Sequence, residues 1–113
     1  MGKFDECMDT YKSEFKKLNV SFDERLLTKV AKACGPSLYN RDASTVSGSD
    51  KAELATVKKN FLIGKLGLSD SSKLDDAITE VMETMGKSNR NKYRAMVYYL
   101  LTVKLNKESI YNN

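Results

Sequence analysis

The fold is decided by residues 93–105, which read YRAMVYYLLTVKL. Apolar side chains recur through this stretch at helical spacing and cover most of the circumference of the predicted helix. A helix that is apolar on most sides is usually buried on most sides. The stretch therefore predicts either the central helix of a bundle or a helix that places one side against a partner chain.

Four further helices are predicted upstream from apolar periodicity and from residues that begin or end helices. Asn19 is the predicted stop of the first helix. Ser21 and Glu24 have the spacing of a capping box at the start of the second, and Gly35 ends it. The five helices are predicted over residues 3–18, 22–34, 51–66, 71–85 and 89–105. Asp50 and Ser88 are the predicted N-caps of the third and fifth.

The chain of 113 residues has the size of one domain, so a single all-α bundle over residues 1–113 is predicted. The tail, residues 106–113, is expected to fray unless Ile110 and Tyr111 dock on the body.

A polar loop covers residues 36–49 and joins the second and third predicted helices. Wholly unanchored loops of this length are uncommon in compact domains. Leu38, Tyr39 and Val46 are therefore predicted to pack against the body.

Composition excludes several chemistries. Histidine is absent, so no histidine-dependent triad and no histidine-ligated zinc site can form. Cys7 and Cys34 are interpreted as small hydrophobic side chains in a reducing compartment. Asp76, Glu80 and Glu83 share one helical face, which we interpret as a solvated acidic surface rather than a metal site. No catalytic residue, metal site or cofactor is predicted.

The longest unbroken apolar run, residues 95–101, is far shorter than the ~20 residues that cross a bilayer. The first residues also lack the apolar stretch of a signal peptide. A cytoplasmic protein without membrane association is therefore expected.

Charge is distributed unevenly around a net value of +4. Residues 68–86 carry −4, and residues 87–113 carry +5. One interpretation places the acidic fourth helix beside the basic third or fifth helix. The other takes residues 86–94 as a basic turn and helix start that binds nucleic acid or a smaller phosphate-bearing anion. The predicted binding residues are Lys87, Ser88, Asn89, Arg90, Lys92 and Arg94.

Three segments resemble a bacterial family called Domain of Unknown Function 2853. They are residues 34–40 (CGPSLYN), 56–63 (TVKKNFLI) and 88–95 (SNRNKYRA). The resemblance covers nearly the whole chain, and it implies a small, helical, bacterial and cytoplasmic protein. It assigns no catalytic or binding residue.

The function expected from the sequence is that of a non-catalytic binding module. It would bind a protein partner or associate with itself as a homo-oligomer, through the fifth helix or the long loop. The alternative is nucleic-acid or anion binding through the basic turn. An enzyme relying on carboxylates, lysines or tyrosines is the third reading.

Overall fold

The computed structural model describes residues 2–39, 44–47, 50–86, 89 and 92–111, with the backbone alone at Pro36 and Ser37. Across these ranges the chain forms five α-helices, which confirms the predicted all-α class. They are α1 (Lys3–Lys17), α2 (Glu24–Cys34), α3 (Lys51–Thr56), α4 (Ser72–Met85) and α5 (Arg94–Lys104). Three other helical segments extend them: a 3-10 helix Gly35–Tyr39 after α2, a π-helix Val57–Lys65 that continues α3, and a 3-10 helix Glu108–Tyr111 after α5.

The last α-helix, α5, is the central one. It packs mainly against α2 and α4. Its inward side chains are fully buried, namely Ala95, Met96, Val97, Leu101 and Thr102. Val103 is the large apolar residue of α5 that stays exposed, at 37%. Of the two predicted arrangements, the structure therefore shows the central helix.

Aspartate side chains begin two of the helices. Oδ1 of Asp23 accepts hydrogen bonds from the N–H groups of Arg25 and Leu26, at 2.9 and 3.4 Å. The N–H of Asp23 itself donates to the hydroxyl of Tyr99 at 2.7 Å, which ties the start of α2 to α5. The predicted capping box at Ser21 is therefore wrong, because Asp23 satisfies the free N–H groups of the first turn and the helix begins two residues later than expected. Asp50 caps α3 as predicted.

Residues with positive φ follow several of the helices, and Asn19 and Gly86 are two of them. Asn19 has φ 59° after α1, and the N–H of Val20 donates to the carbonyl of Phe15 at 2.9 Å. This is the Schellman arrangement, and it confirms Asn19 as the stop. Gly86 follows α4 with φ 97°, a backbone conformation that glycine adopts without the steric cost of a Cβ. Its position confirms the predicted end of the fourth helix.

The predicted start of the fifth helix is wrong. The helix begins at Arg94 rather than near residue 89, and Ser88, its predicted N-cap, lies outside the described residues. The backbone here pairs with the long loop instead of with itself. The N–H of Arg94 donates to the carbonyl of Ser44, and the N–H of Val46 donates to the carbonyl of Lys92, both at 2.7 Å. Tyr93, between the two bonded residues, is extended, with φ −62° and ψ 136°, so the helix begins only at Arg94.

The same pairing anchors the loop. Thr45 forms an antiparallel bridge with Tyr93, and Val46 is buried. Leu38 is buried as predicted, whereas Tyr39 is 47% exposed, so its predicted packing is wrong.

The third predicted helix is interrupted by a change of helix type. α3 ends at Thr56, and the π-helix continues to Lys65 with wider turns, as in the 2.9 Å bond from the N–H of Leu66 to the carbonyl of Phe61. Phe61 and Leu62 are both buried within this π-helix. A Cβ at Gly64 would lie 3.3 Å from the carbonyl oxygen of Lys59, so the segment is tight at that point.

Candidate functional site

A small open cavity of about 180 Å³ lies between α2, the π-helix, α5 and the last 3-10 helix. It is lined by Val30, Ala33, Cys34, Asn60, Phe61, Lys65, Tyr98 and Tyr111. Ala33, Asn60 and Lys65 are exposed, so they mark its mouth, and Val30 and Phe61 are buried in its wall. We call this space the aromatic cavity.

Two stacked rings form one wall of the aromatic cavity. Phe61 and Tyr98 are nearly parallel, with an interplanar angle of 9° and ring centroids 3.9 Å apart. Phe61 comes from the π-helix and Tyr98 from α5, so the stacked pair joins these two segments. π-Helical turns are uncommon and occur frequently at functional sites.

Tyr111 contributes a third ring from the last 3-10 helix. Its side chain is buried, and the ammonium of Lys65 lies 5.6 Å from the ring centroid, within cation–π range. Burial raises the pKa of Tyr111 to about 12. The ring is therefore a neutral wall at physiological pH. Tyr111 docks on the body, which is the alternative that the sequence left open to a frayed tail.

Cys34 adds a protonated thiol to the lining. Burial raises the pKa of Cys34 to about 11, although the positive charge of Arg94 acts to lower it. A thiol with this pKa is a poor nucleophile at neutral pH, because the thiolate is the reactive form. Neither Cys7 nor Cys34 forms a disulfide bond. Both thiols affect Tyr11. Burial is the largest cause that raises the pKa of Tyr11, followed by the nearby Cys7 and then by Cys34.

Arg94 supports the aromatic wall from behind. Its guanidinium donates to the hydroxyl oxygen of Tyr98 and to Oε1 of Glu53, each at 2.9 Å. Burial alone would lower the pKa of Arg94, but the bonds to Tyr98 and Glu53 raise it on balance. This predicted binding residue therefore joins α5 to α3 and orients one ring of the cavity.

The other predicted binding residues lie away from the cavity or outside the described ranges. Asn89 donates from Nδ2 to the carbonyl of Met85 at 2.9 Å, across the end of α4. Lys92 is only 4% exposed, and its Nζ donates to the carbonyl of Asn89 at 2.5 Å. Burial lowers the pKa of Lys92. Lys87, Ser88 and Arg90 fall outside the described residues. The structure thus brings Asn89 and Lys92 together and directs Arg94 elsewhere.

The acidic fourth helix is paired with basic neighbours, as the first interpretation of the charge pattern expects. Glu80 contacts Lys104 of α5 at 2.6 Å. Lys58 of the π-helix contacts Asp75 at 3.0 Å and also Asp70 at 2.8 Å. In the described part of the chain, no three cysteine or acidic side chains converge in a way that could hold a metal ion.

Sequence reasoning missed the aromatic cavity. Its residues come from four separate helical segments, and each was interpretable as ordinary core or surface. No local signal marked it, because consecutive buried apolar residues such as Phe61 and Leu62 also occur in the regular helix α2, at Leu26 and Leu27.

Fold and site together define a small all-α protein whose central helix supports an aromatic cavity. The chain belongs to the family described as Protein of unknown function (DUF2853), whose model matches residues 10–109 and so covers most of it. This confirms the resemblance seen in the sequence. A comparison with curated proteins finds no match. Among the described helices, none is both long and apolar enough to cross a membrane.

Proposed function

We propose that this protein is a non-catalytic binding module and that the aromatic cavity is its binding site. The observation that carries the proposal is the cavity itself: an opening walled by the stacked rings of Phe61 and Tyr98 and by the ring of Tyr111. Concave sites with mostly apolar walls and a few convergent polar groups are the usual places where proteins bind small molecules.

The chemistry of the lining supports binding rather than catalysis. Burial keeps Cys34 as a neutral thiol, and none of the described residues that line the cavity carries a carboxylate. General acid–base work needs a group that titrates near neutral pH, and nucleophilic work needs an activated nucleophile. Tyr111, with a pKa of about 12, does not supply the first, and Cys34 does not supply the second.

An occlusion variant tests the proposal. Ala33→Trp places a large side chain at the exposed mouth of the cavity, and Ala52→Trp makes the same change at an exposed position outside the lining. A mixture of small aromatic fragments is added to ¹⁵N-labelled protein. We expect amide shifts around the cavity in the wild type and in the Ala52 variant, and none in the Ala33 variant. Equal shifts in all three proteins, or none in the wild type, would refute the proposal.

A protein partner and self-association belong to the same proposal. Tyr39 and Val103 are the exposed large hydrophobic residues of the described chain, at 47% and 37%. They offer apolar contact surface on the loop and on α5, the two regions expected to mediate association. Sedimentation at micromolar concentration tests self-association, and a strictly monomeric protein removes it. A cytoplasmic location in bacteria is proposed with it, supported by Cys7 and Cys34, which form no disulfide bond.

Nucleic-acid or anion binding through residues 86–94 is the alternative function. Its support is the +5 charge of residues 87–113. Phosphate contacts make the logarithm of affinity fall linearly with the logarithm of salt concentration. A salt titration of DNA and RNA binding by the wild type and by Arg90→Ala therefore tests it. Binding that is unaffected by salt and by the substitution would remove it.

A further inference from the structure

The polar groups of the aromatic cavity are mostly hydrogen-bond donors. Lys65 brings an ammonium with three donors, and Asn60 brings an amide that both donates and accepts. None of the described residues that line the cavity is Asp or Glu. A lining of this kind favours a ligand that carries acceptors, and above all an anion.

The tyrosine of the stacked wall is fixed as a donor. Arg94 has no acceptor, so in its 2.9 Å contact with Tyr98 the tyrosine oxygen accepts. The hydroxyl hydrogen of Tyr98 is therefore left for another acceptor. The charge of Arg94 is balanced by Glu53 at 2.9 Å, so Arg94 holds the ring and contributes little net charge to the cavity.

Lys65 supplies the charge at the mouth. In the described ranges, no carboxylate lies within ion-pair distance of its ammonium, and its contact is the face of the Tyr111 ring. The neighbouring Lys58 differs, because two carboxylates hold it. Lys65 therefore stands beside the aromatic wall with its charge available to a ligand.

The volume of the aromatic cavity limits the size of the ligand. An apolar cavity of ~150 Å³ is known to hold benzene. At about 180 Å³, the aromatic cavity has space for one ring and a small substituent.

We infer that the aromatic cavity binds a small aromatic carboxylate of one ring. The ring lies against the wall of Phe61 and Tyr98, and the carboxylate sits at the mouth within reach of Lys65. This inference rests on the proposed function, since it names the ligand class for the same cavity. It adds a charge requirement that the proposed function does not contain.

The test compares probes that share a size and differ in charge or in aromaticity. Benzoate is the main probe, benzamide is its neutral counterpart, and cyclohexanecarboxylate keeps the charge without the aromatic ring. Each is titrated into ¹⁵N-labelled wild-type protein, and Kd is read from the amide shifts. We expect benzoate to bind about tenfold more tightly than benzamide, as one charge-assisted contact provides. We expect cyclohexanecarboxylate to bind more weakly than benzoate because it cannot stack.

Two lysine variants locate the charge. Lys65→Met should remove the preference for benzoate over benzamide, while Lys59→Met, at an exposed position of the same π-helix outside the lining, should leave it intact. An unchanged preference in the Lys65 variant would overturn the inference. If that variant does not fold, the comparison of benzoate with benzamide in the wild type still decides.

A second readout uses Cys34 as a reporter of occupancy. In a Cys7→Ser background, benzoate should slow alkylation of Cys34 because the thiol lines the cavity. Benzamide that binds and protects as well as benzoate would overturn the ligand class and leave the proposed function standing. A wild type that binds none of the three probes, together with no fragment shifts, would overturn both.

Discussion

The aromatic cavity and the basic turn of residues 86–94 use their cations in opposite ways. In the turn, Lys92 is buried and bonded to a backbone carbonyl, and Arg94 pairs with Glu53. In the cavity, the ammonium of the exposed Lys65 lies over the ring of Tyr111, and no carboxylate of the described residues lies within ion-pair distance of it. The segment that is more basic in sequence thus directs its described cations inward. The net charge counted along a segment is therefore a poor guide to which of its cations stay exposed.

The largest expected effect is that of removing the ring that the π-helix turns inward. Phe61→Ala deletes a side chain that is 4% exposed and stacked on Tyr98, so it should lower the free energy of unfolding by about 3–5 kcal/mol. Denaturant unfolding measures the loss. A cost below about 1 kcal/mol would mean that Phe61 is not packed in the aromatic wall as described. It would contradict the account of the cavity on which the contrast between the two regions depends.

The next effect tests the inward role of Arg94. Arg94→Met leaves Glu53 without its partner and frees Tyr98, so it should cost roughly 2–3 kcal/mol of stability. Arg25→Met, at an exposed position on α2, is the matched control and should cost less than about 0.5 kcal/mol. If the Arg94 variant loses nucleic-acid affinity and keeps full stability, Arg94 serves a ligand and the contrast between the two regions disappears.

Alkaline pH is expected to lower the free energy of unfolding by a smaller amount per pH unit. The pKa values of Cys34 and Tyr111 are raised to about 11 and 12 from 9.0 and 10.0. Above pH 9 the unfolded chain therefore loses protons that the folded protein keeps. Stability should be fully present below about pH 9 and should fall toward pH 12, by at most about 1.4 kcal/mol per pH unit for each group.

Thermal unfolding between pH 8 and pH 11 measures this fall. Tyr11 and Tyr99 shift in the same direction and add to it, whereas the lowered pKa of Lys92 opposes it. Tyr111→Phe should make the alkaline slope shallower. A slope that does not change in this variant would show that the ring of Tyr111 is not buried in the cavity wall.

Much of the fold was readable from local chemistry. Asn19 and Gly86 end helices through their own backbone conformations, and Asp50 begins one through its own side chain. Such signals depend on a few neighbouring residues, so the sequence displays them. The apolar excess of α5 predicted either a central helix or a helix facing a partner chain, because burial on most sides needs apolar residues on most sides.

The rest depends on contacts between distant segments. The start of α5 was misplaced because residues 92–94 bond to the long loop, and periodicity carries no information on that pairing. The aromatic cavity escaped prediction for the same reason: Cys34, Phe61 and Tyr111 meet only after four segments have packed. Tyr98 was interpreted as apolar surface of a helix, and its bond to Arg94 became visible only in three dimensions.

The bond between the N–H of Asp23 and the hydroxyl of Tyr99 has a consequence for folding kinetics. It joins residues 76 positions apart, and it accompanies the packing of α2 on α5. Such a contact requires closure of a loop spanning most of the chain before its energy is gained. The pairing of α2 and α5 is therefore a folding step with a large loop-closure cost.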